Sequence, residues 1–379
     1  RKKKQLKIMR KPIKICYILP DYNSKTDSHF FHLYEFLEKV SKKLEIFLIV
    51  ERSNKEDIGS AMPGIKNIYV QKFKFIPFRF IESFIVVLIA RMKGYKNFYT
   101  HYCYIGGVNA AIISRIFGGK SYYWNCAMNW LFKKKDSSKI GYKLSLKLSH
   151  YLVTGSEGMK QGYIEHYHLS PERVKIMPNW INLERFKSEN SPSQKGEVSP
   201  RAEKFKTLLF VHWLSKRKGA DMIVPIMNNL KFKIKNLKLL VVGDGPYKEQ
   251  LLKEIKDNNL EDYIEIVGVV PNKDLPQYYA QSDIFIMPSM EEGFPHVLLE
   301  TMAIGVPYVA SDVGAVREMS PEIAQRFLVK PHDVEMFAHK IETLLSDEKT
   351  YNDFRKEELE KVKEYSLDRV IKKFIALFK

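Results

Sequence analysis

The sequence predicts an α/β protein made of two Rossmann-like domains, and three observations carry that prediction. Short β-branched or apolar runs alternate with helical patterns, which is typical of βαβ units around a parallel sheet. Residues 187–204 interrupt this alternation with a stretch rich in Ser, Pro, Lys and Glu that contains no aromatic residue. The alternation then restarts, so two units should face one another across a cleft, where α/β proteins usually bind ligands.

The predicted elements follow in chain order. The first domain, residues 1–187, should contain the strands Ile13–Leu19, Glu45–Val50, Lys66–Val70, Asn97–His101, Ser121–Trp124, Tyr151–Gly155 and Val174–Met177, with helices such as His29–Lys42 and Val108–Phe117. Residues 188–204 form a linker. The second domain, residues 205–365, should contain the strands Thr207–Trp213, Lys238–Val242, Ile264–Val267, Asp283–Met287, Tyr308–Ala310 and Phe327–Val329, with the helices Ala220–Asn229, Pro246–Lys256, Leu275–Gln281 and Pro295–Ala303. Residues 366–379 form an amphipathic helix that we expect to pack back on the first domain.

The charge of the chain is strongly positive, with 62 basic and 44 acidic residues and a formal net charge of +18. Such an excess points to an anionic partner, namely nucleic acid, a phosphorylated substrate or a membrane surface. Nucleic acid is not favoured, because the basic stripes lie beside aliphatic residues and no RRM-type aromatic run is present. The widely spaced Cys16, Cys103 and Cys126 form no Cys-x-x-Cys pair, so we expect a reducing compartment.

Residues 73–90 form the most apolar stretch. Its charge-free part, residues 83–90, is far shorter than the ~20 residues of a membrane-spanning helix. Two interpretations stay open, a core helix and a segment that lies in a membrane interface. The second is suggested by Lys74 and Arg79 among the aromatic residues Phe73, Phe75, Phe78, Phe80 and Phe84. The first domain also carries a basic run, Lys133 to Lys135, and a basic stripe formed by Lys139, Lys143 and Lys147.

The residues that follow the predicted strand Asp283–Met287 carry the most specific chemistry. The loop contains Glu292 and Gly293, and Pro295 suits the first turn of the next helix. The amides of a helix N-terminus form a ready site for an anion. Glu300 lies in an apolar part of that helix, so its carboxylate must be hydrogen-bonded, and sugar hydroxyls are suitable donors.

This segment resembles the donor site of the family-4 retaining glycosyltransferases, or glycosyl transferases group 1, which have the GT-B fold of two facing Rossmann-like domains. The Glu292-x7-Glu300 pair and the Gly293-Phe294-Pro295 turn match the signature of that family. Further similar segments extend the resemblance over nearly the whole chain, at residues 156–160, 174–182, 241–246 and 305–314.

The resemblance implies roles for individual residues. Glu292 would face the donor sugar as the catalytic carboxylate, and Glu300 would bind the ribose hydroxyls. Backbone amides of the next turn would bind the sugar and the diphosphate, and this turn contains Gly293, Phe294, Pro295, His296 and Val297. Val270 lies in a segment similar to the base-facing loop of the family, and Gly243 in one similar to its strand-to-helix turn. The family needs no metal, and no Asp-x-Asp spacing is found here, so we expect no metal and no cofactor besides the nucleotide diphosphate sugar.

The basic residues of the diphosphate site depart from the family pattern. Lys218 matches the family's lysine and is expected to act in catalysis, but Trp213 stands where the family has an arginine. Trp cannot neutralise a phosphate, so Arg217 or Lys216 would replace the arginine, or the donor is held differently.

The first domain departs further, since its first strand is not followed by the family's Gly-rich turn. His29, His101 and Asn125 are candidates for the acceptor side of the cleft, and Asn125 stands where the family often has His. Each of the three is equally compatible with a buried, hydrogen-bonded structural role.

The sequence thus predicts a retaining, metal-independent glycosyltransferase that moves a hexose-type sugar from a nucleotide diphosphate sugar to a lipid-linked or glycan acceptor. The resemblance implies a front-face displacement, in which the departing phosphate takes the acceptor proton. The basic first domain suggests a peripheral enzyme on an anionic membrane surface, at the cytoplasmic face. Two alternatives stay open, a nucleotide-sugar epimerase of the same architecture and a non-catalytic protein that binds the donor.

Overall fold

A computed structural model describes residues 12–21, 31–53, 62, 64–128, 130, 138–186 and 206–379. Three features predicted above lie outside the described residues, namely His29, the basic run Lys133 to Lys135 and the linker.

The first domain is built on a parallel sheet. Its strands are β1 (Lys14–Leu19), β2 (Glu45–Val50), β3 (Asn67–Val70), β4 (Asn97–His101), β5 (Lys120–Trp124), β6 (Tyr151–Thr154) and β7 (Val174–Ile176). They lie in the order β3-β2-β1-β4-β5-β6-β7, and every adjacent pair is parallel. The helices that cover the sheet are α1 (Phe31–Ser41), α2 (Ile76–Met92), α3 (Tyr104–Ile116), α4 (Ser138–Leu148) and α5 (Glu157–Tyr167). Long runs of buried apolar residues in these strands are typical of a sheet covered on both faces.

The second domain repeats this plan. Its strands are β8 (Lys206–Val211), β9 (Leu237–Val242), β10 (Ile264–Gly268), β11 (Ile284–Met287), β12 (Tyr308–Ser311) and β13 (Leu328–Val329). They lie in the order β10-β9-β8-β11-β12-β13, again all parallel. The helices are α6 (Ile223–Leu230), α7 (Lys248–Asp257), α8 (Leu275–Ala280), α9 (His296–Ile304), α10 (Val316–Met319), α11 (Val334–Ser346), α12 (Glu348–Lys361) and α13 (Leu367–Ala376).

The two ends of the second domain are shared with the first. Helix α13 buries Val370 and Phe374 in the core of the first domain, where the Phe374 ring lies 4.9 Å from the ring of Tyr99. In the other direction, Ile181 and Phe186 already pack in the core of the second domain. The chain therefore crosses between the domains before residue 187, somewhat earlier than the predicted boundary.

Strand order reverses once in each sheet, between β1 and β4 and between β8 and β11. The loops after such strands diverge and leave a crevice at the carboxyl ends. Strand β8 ends at Val211, two residues before the predicted end, so His212 and Trp213 belong to its loop. The loop after β11 carries Glu292. Thus the fold places these two loops side by side.

Among the described residues no helix is both long and apolar enough to cross a bilayer.

Candidate functional site

Glu292 is the centre of the site. Its carboxylate oxygen Oε1 accepts hydrogen bonds from Lys218 Nζ at 2.7 Å, His212 Nε2 at 2.9 Å and Ser289 Oγ at 2.9 Å. The side chain of Glu292 is buried. Strands β8 and β11 are adjacent, so the loops that follow them bring His212 and Lys218 against Glu292. A compact charged cluster therefore lies at the point where the strand order of the second sheet reverses.

The cluster holds Glu292 in its ionised form. Burial acts to raise the pKa of Glu292, but His212 and Lys218 outweigh it and hold the pKa well below its usual range. Burial lowers the pKa of Lys218, and Glu292 counteracts that effect. The pKa of His212 is lowered by burial and by Lys218, so its imidazole is neutral at neutral pH. The cluster thus pairs one carboxylate with one ammonium group.

The hydrogen bonds of His212 define its role. Its Nδ1 accepts a bond from the backbone N–H of Trp213 at 3.2 Å, so the proton of the neutral ring lies on Nε2, which donates to Glu292. His212 therefore positions the carboxylate of Glu292. The indole of Trp213 itself is 57% exposed at the carboxyl end of β8.

Glu300 is buried in α9 and hydrogen-bonded, as its apolar surroundings predict. Oε2 accepts a bond from Tyr279 Oη at 2.8 Å, and Oε1 lies 3.3 Å from His32 Nε2. Burial acts to raise the pKa of Glu300, but His32 and Tyr279 outweigh it and lower the pKa. His32 belongs to α1 of the first domain, so this contact joins the two domains. The His32 ring also stacks on His296, with ring centroids 4.2 Å apart.

The turn after Glu292 lies against the first domain. A Cβ atom at Gly293 would fall 2.1 Å from the carbonyl oxygen of Cys126, so only glycine fits at this position. The carbonyl oxygen of Phe294 accepts a hydrogen bond from Asn179 Nδ2 at 2.7 Å. The predicted donor turn is therefore also an interface between the domains.

The start of α9 differs by one residue from the prediction. Pro295 takes the position before the first helical residue, with φ −70° and ψ 123°, and the helix begins at His296. Val297, in the first turn, packs against the core of the second domain. The first amides of α9 thus lie beside the Glu292 loop, where they are placed to bind an anion.

Gly243 and Val270 lie at the neighbouring strand ends. Gly243 follows β9 with φ 139°, and a Cβ atom there would fall 1.9 Å from the carbonyl oxygen of His212. Its N–H donates to the carbonyl of Gly268 at 2.8 Å. Gly243 thus supports the loop that carries His212, and Val270 packs against the core of the second domain.

Arg217 and Lys216 are the two candidates to replace the family's arginine, and both are exposed in the short turn Lys216–Lys218. The carbonyl oxygen of Arg217 accepts a hydrogen bond from Met290 N at 2.9 Å, which ties this turn to the Glu292 loop. After burial and Glu292, Arg217 is the next influence on the pKa of Lys218. Lys216 instead extends over the Tyr247 ring, 5.9 Å from its centroid. Arg217 is therefore the candidate whose charge acts on the cluster.

The candidates in the first domain have structural partners. The Oδ1 atom of Asn125 accepts hydrogen bonds from Ala127 N and Tyr163 Oη, each at 2.8 Å. His101 bonds Tyr17 Oη through Nδ1 at 3.2 Å, and burial lowers the pKa of His101 to about 3. These contacts order the carboxyl ends of β4 and β5.

Sequence reasoning did not assign four residues that the structure brings to the site, namely His32, His212, Tyr279 and Ser289. Ser289 lies just after the predicted strand Asp283–Met287 and His212 near the carboxyl end of the predicted strand Thr207–Trp213, and that position could have identified them. His32 and Tyr279 reach Glu300 through packing between distant segments, for which the sequence pattern carries no signal. The described residues contain no group of three or more His, Cys, Asp or Glu side chains arranged to hold a metal ion.

A family model matches the second half of this chain. Residues 193–361 match the family described as glycosyl transferases group 1. This match covers nearly the whole second domain. The matched residues thus include all the predicted donor residues, from Arg217 to Glu300.

Curated relatives of this chain include glycosyltransferases from distant organisms. An uncharacterized glycosyltransferase of Methanocaldococcus jannaschii is 27% identical over 62% of this chain and 61% of its own. A GDP-mannose-dependent alpha-(1-6)-phosphatidylinositol monomannoside mannosyltransferase of Mycobacterium tuberculosis is 28% identical over 46% of this chain and 47% of its own. A third relative comes from Campylobacter jejuni and is 27% identical over 63% of this chain and 64% of its own. Its name is N-acetylgalactosamine-N,N'-diacetylbacillosaminyl-diphospho-undecaprenol 4-alpha-N-acetylgalactosaminyltransferase. The match spans less than two thirds of the length of each of these relatives.

Solved structures share the fold over nearly the whole chain. HepE from Anabaena, in complex with UDP, has a TM-score of 0.77 at 15% identity and covers 96% of this chain and 99% of its own. Sucrose-phosphate synthase from Thermosynechococcus elongatus has a TM-score of 0.75 at 18% identity and covers 96% of this chain and 98% of its own. The likeness concerns the fold, and it confirms the predicted GT-B architecture.

Proposed function

We propose that this protein is a retaining glycosyltransferase that moves a hexose-type sugar from a nucleotide diphosphate sugar to an acceptor. The observation that carries the proposal is the ionised Glu292, held by Lys218, His212 and Ser289 at the carboxyl ends of two central strands. A fixed carboxylate next to a fixed ammonium group suits a reaction in which positive charge develops on the sugar and negative charge on the leaving diphosphate.

The diphosphate is bound by Lys218, Arg217 and the first amides of α9, and the ribose by Glu300. The bond between the anomeric carbon and the diphosphate oxygen breaks while the acceptor oxygen bonds the same face of the carbon. The acceptor proton passes to the departing phosphate, so no side chain has to act as a general base. Glu292 stabilises the positive charge of the transition state, with His212 as its positioning residue.

The acceptor is lipid-linked or a glycan, and the enzyme works as a peripheral protein at the cytoplasmic face of a membrane. The relatives from Mycobacterium and Campylobacter carry names with lipid-linked acceptors, phosphatidylinositol monomannoside and a diphospho-undecaprenol sugar. A lipid-linked acceptor stays in the bilayer, so its enzyme has to come to the surface. The net charge of +18 favours an anionic surface.

A donor panel tests the first step. Melting temperatures are measured with UDP-, GDP-, ADP- and dTDP-sugars, since a bound donor raises the melting temperature by mass action. The best donor is then labelled in the sugar, and release of nucleotide diphosphate and the anomeric configuration of the product are followed with and without a chelator. We expect transfer with retention that the chelator leaves unchanged. Inversion of the anomeric configuration contradicts the retaining proposal, and loss with the chelator contradicts metal independence.

Matched variants test the assignment of Glu292. Glu292→Gln should lower the transfer rate by about 10²- to 10³-fold, whereas Glu291→Gln, at the neighbouring position, should stay near wild type. Glu300→Gln should mainly weaken nucleotide binding. Full transfer by the Glu292 variant would contradict the proposed mechanism. Formation of an epimeric nucleotide sugar in the absence of acceptor would favour the epimerase. Donor binding without any turnover would favour the non-catalytic protein.

A further inference from the structure

Helix α2 has an unusual exposed surface. Ser83, Val86, Val87 and Ala90 face the core of the first domain. Every exposed residue of the helix is apolar, and these are Ile76, Pro77, Phe78, Phe80, Ile81, Ile85, Ile89 and Met92. The large side chains among them are between 36% and 78% exposed. A soluble surface helix normally presents polar residues on this side, so an exposed apolar face of this extent indicates a binding surface.

Two of the three charged residues of α2, Arg79 and Glu82, are turned away from this surface. The third, Arg91, is half-buried and bonds the carbonyl oxygens of Phe117 and Gly118. Glu82 is buried and accepts hydrogen bonds from Tyr69 Oη at 2.9 Å and from Lys72 N at 2.7 Å. Arg79 Nη2 bonds Glu51 Oε2 at 2.7 Å, so its charge is neutralised inside the domain. Arg79 therefore does not belong to the interfacial surface, contrary to the sequence-based interpretation. No carboxylate of α2 is exposed.

The apolar surface continues on both sides of the helix. Phe73 and Phe75 precede α2, and their rings lie 5.7 and 5.6 Å from the ring of Phe78. Ile116 and Phe117, at the end of α3, are also exposed, and Arg91 bonds the carbonyl of Phe117 there. We call this surface, from Phe73 to Met92 with Ile116 and Phe117, the α2 face.

Basic residues surround the α2 face. Four exposed lysines flank it, namely Lys72, Lys74, Lys93 and Lys96. Helix α3 packs between α2 and α4. On α4, Lys143 and Lys147 of the predicted basic stripe are exposed beside Ile140 and Leu144. The apolar surface thus has a rim of positive charge, and α2 contributes no exposed negative charge to it.

We propose that the α2 face is the membrane-binding surface of this protein and that it inserts shallowly into an anionic bilayer. Its side chains make no demand for hydrogen bonds, which fits the acyl region, and its lysine rim matches anionic headgroups. A second copy of the chain fits less well, because a symmetric pair through this face would bring the lysine rims of both copies together. The bilayer is therefore the occupant that both the apolar surface and the charge favour.

The position of α2 also orients the cleft. Strand β3 ends at Val70, at the carboxyl edge of the sheet that borders the cleft, and α2 begins a few residues later. Its aromatic end, with Phe73, Phe75 and Phe78, therefore lies near the cleft, and its 17 residues extend roughly 25 Å away from it. Binding through the α2 face would therefore bring the rim of the cleft towards the membrane surface. The membrane-binding role of the α2 face extends the proposed function, and it rests on that function only for the choice of a lipid-linked acceptor.

The first test measures binding of the full chain to vesicles by co-sedimentation. The vesicles contain either phosphatidylcholine alone or equal parts of phosphatidylcholine and phosphatidylglycerol. The variant Phe75→Ser with Phe78→Ser should bind the anionic vesicles at least about tenfold more weakly. Phe232→Ser removes a still more exposed ring from the second domain and should bind as wild type. Part of the binding should survive about 1 M salt, where screening acts within ~3 Å.

The second test detects insertion directly and does not depend on activity. Cys16, Cys103 and Cys126 are buried, so an environment-sensitive dye will label a new surface cysteine selectively. With anionic vesicles, the dye at Phe75→Cys should shift to an apolar signal, and the dye at Phe232→Cys should not.

The outcomes separate the surface from the chemistry. Vesicle binding that salt abolishes completely and that the Phe variants leave unchanged would overturn the proposal. A dimer that Phe75→Ser with Phe78→Ser dissociates, without vesicle binding, would also overturn it and identify a second copy as the occupant. Donor hydrolysis without vesicles is measured on the same variants. If the wild-type protein hydrolyses no donor, the proposed function is refuted but the membrane-binding surface is not. If a variant that no longer binds vesicles still hydrolyses the donor, its site is folded and intact.

Discussion

Replacement of Lys218 by Met removes the positive member of the central ion pair and keeps most of the side-chain volume. The Nζ–Oε1 distance is 2.7 Å, and both side chains are less than a tenth exposed. At an effective dielectric constant of ~20, the attraction across this distance is about 6 kcal/mol before the cost of desolvation. Breaking a buried pair costs about 3–5 kcal/mol in measured cases. His212 and Ser289 still bond Glu292, so we expect the lower end, about 3 kcal/mol.

Two measurements report this change. The variant should melt roughly 6–12 °C below wild type, and its transfer rate should fall by about 10²- to 10³-fold, because the leaving diphosphate loses a fixed cation. Lys218 lowers the pKa of His212, so in the variant His212 takes up a proton more readily. The stability deficit should therefore shrink as the pH falls below neutral.

Lys216→Met is the matched control, since Lys216 is two residues away and exposed. It removes the same charge without breaking a buried pair, and we expect melting and turnover near wild type. A Lys218 variant that melts with wild type, or that transfers sugar within about threefold of the wild-type rate, would refute the electrostatic reasoning, since a single tenfold effect already equals about 1.4 kcal/mol.

Three further outcomes are expected. Glu358→Gln should raise the free energy of unfolding by about 1–3 kcal/mol at pH 8, because burial raises the pKa of Glu358 well above its usual range and its oxygens lack partners among the described residues. Wild-type stability should therefore fall as the pH rises above the ordinary glutamate pKa, and the variant should lack this slope in thermal melts. Gly293→Ala should lower transfer at least about 10²-fold, because its Cβ would meet the Cys126 carbonyl, and steady-state rates measure it. Trp213→Arg should tighten donor binding about fivefold in calorimetry, since a guanidinium can hold a diphosphate, and an unchanged affinity would contradict the assigned position.

The sequence predicted the framework well because buried parallel strands are nearly uninterrupted apolar runs. The bounds of β2 and β4 agree residue for residue with the prediction. Helix α3 begins at Tyr104, before the predicted start at Val108, because Gly106 and Gly107 are poor helix formers and concealed its first turn.

The role of Arg79 was open to a sharper prediction. Arg79 lies three, four, seven and eight residues before four core-facing or buried residues of α2, Glu82, Ser83, Val86 and Val87. That spacing places Arg79 on the buried side of the helix, where an arginine needs an acidic partner. The identity of that partner, Glu51 at the end of β2, depends on the packing of α2 over the sheet.

Other parts of the site depend on how the two domains meet. The contact of Glu300 with His32 joins segments far apart in the chain, and neither local spacing nor hydrophobic period encodes it. The same holds for Gly293 against Cys126. Motif spacing therefore singled out Glu292, Gly293 and Glu300, whereas the contacts of Gly293 and Glu300 with the first domain required the three-dimensional structure.

The Oε1 atom of Glu300 can bond either His32 of the opposite domain or the ribose of the proposed donor. A ribose that takes the Oε1 atom of Glu300, as proposed, has to displace the imidazole from the opposite domain. Part of the binding free energy of the nucleotide is then used to break the contact between His32 and Glu300. The apparent dissociation constant rises as the fraction of molecules without this contact falls. Any substitution that weakens the contact of His32 with Glu300 should tighten nucleotide binding, although His32 itself does not contact the nucleotide. With the proposed role of Glu300, the affinity for the nucleotide therefore depends partly on a side chain of the first domain.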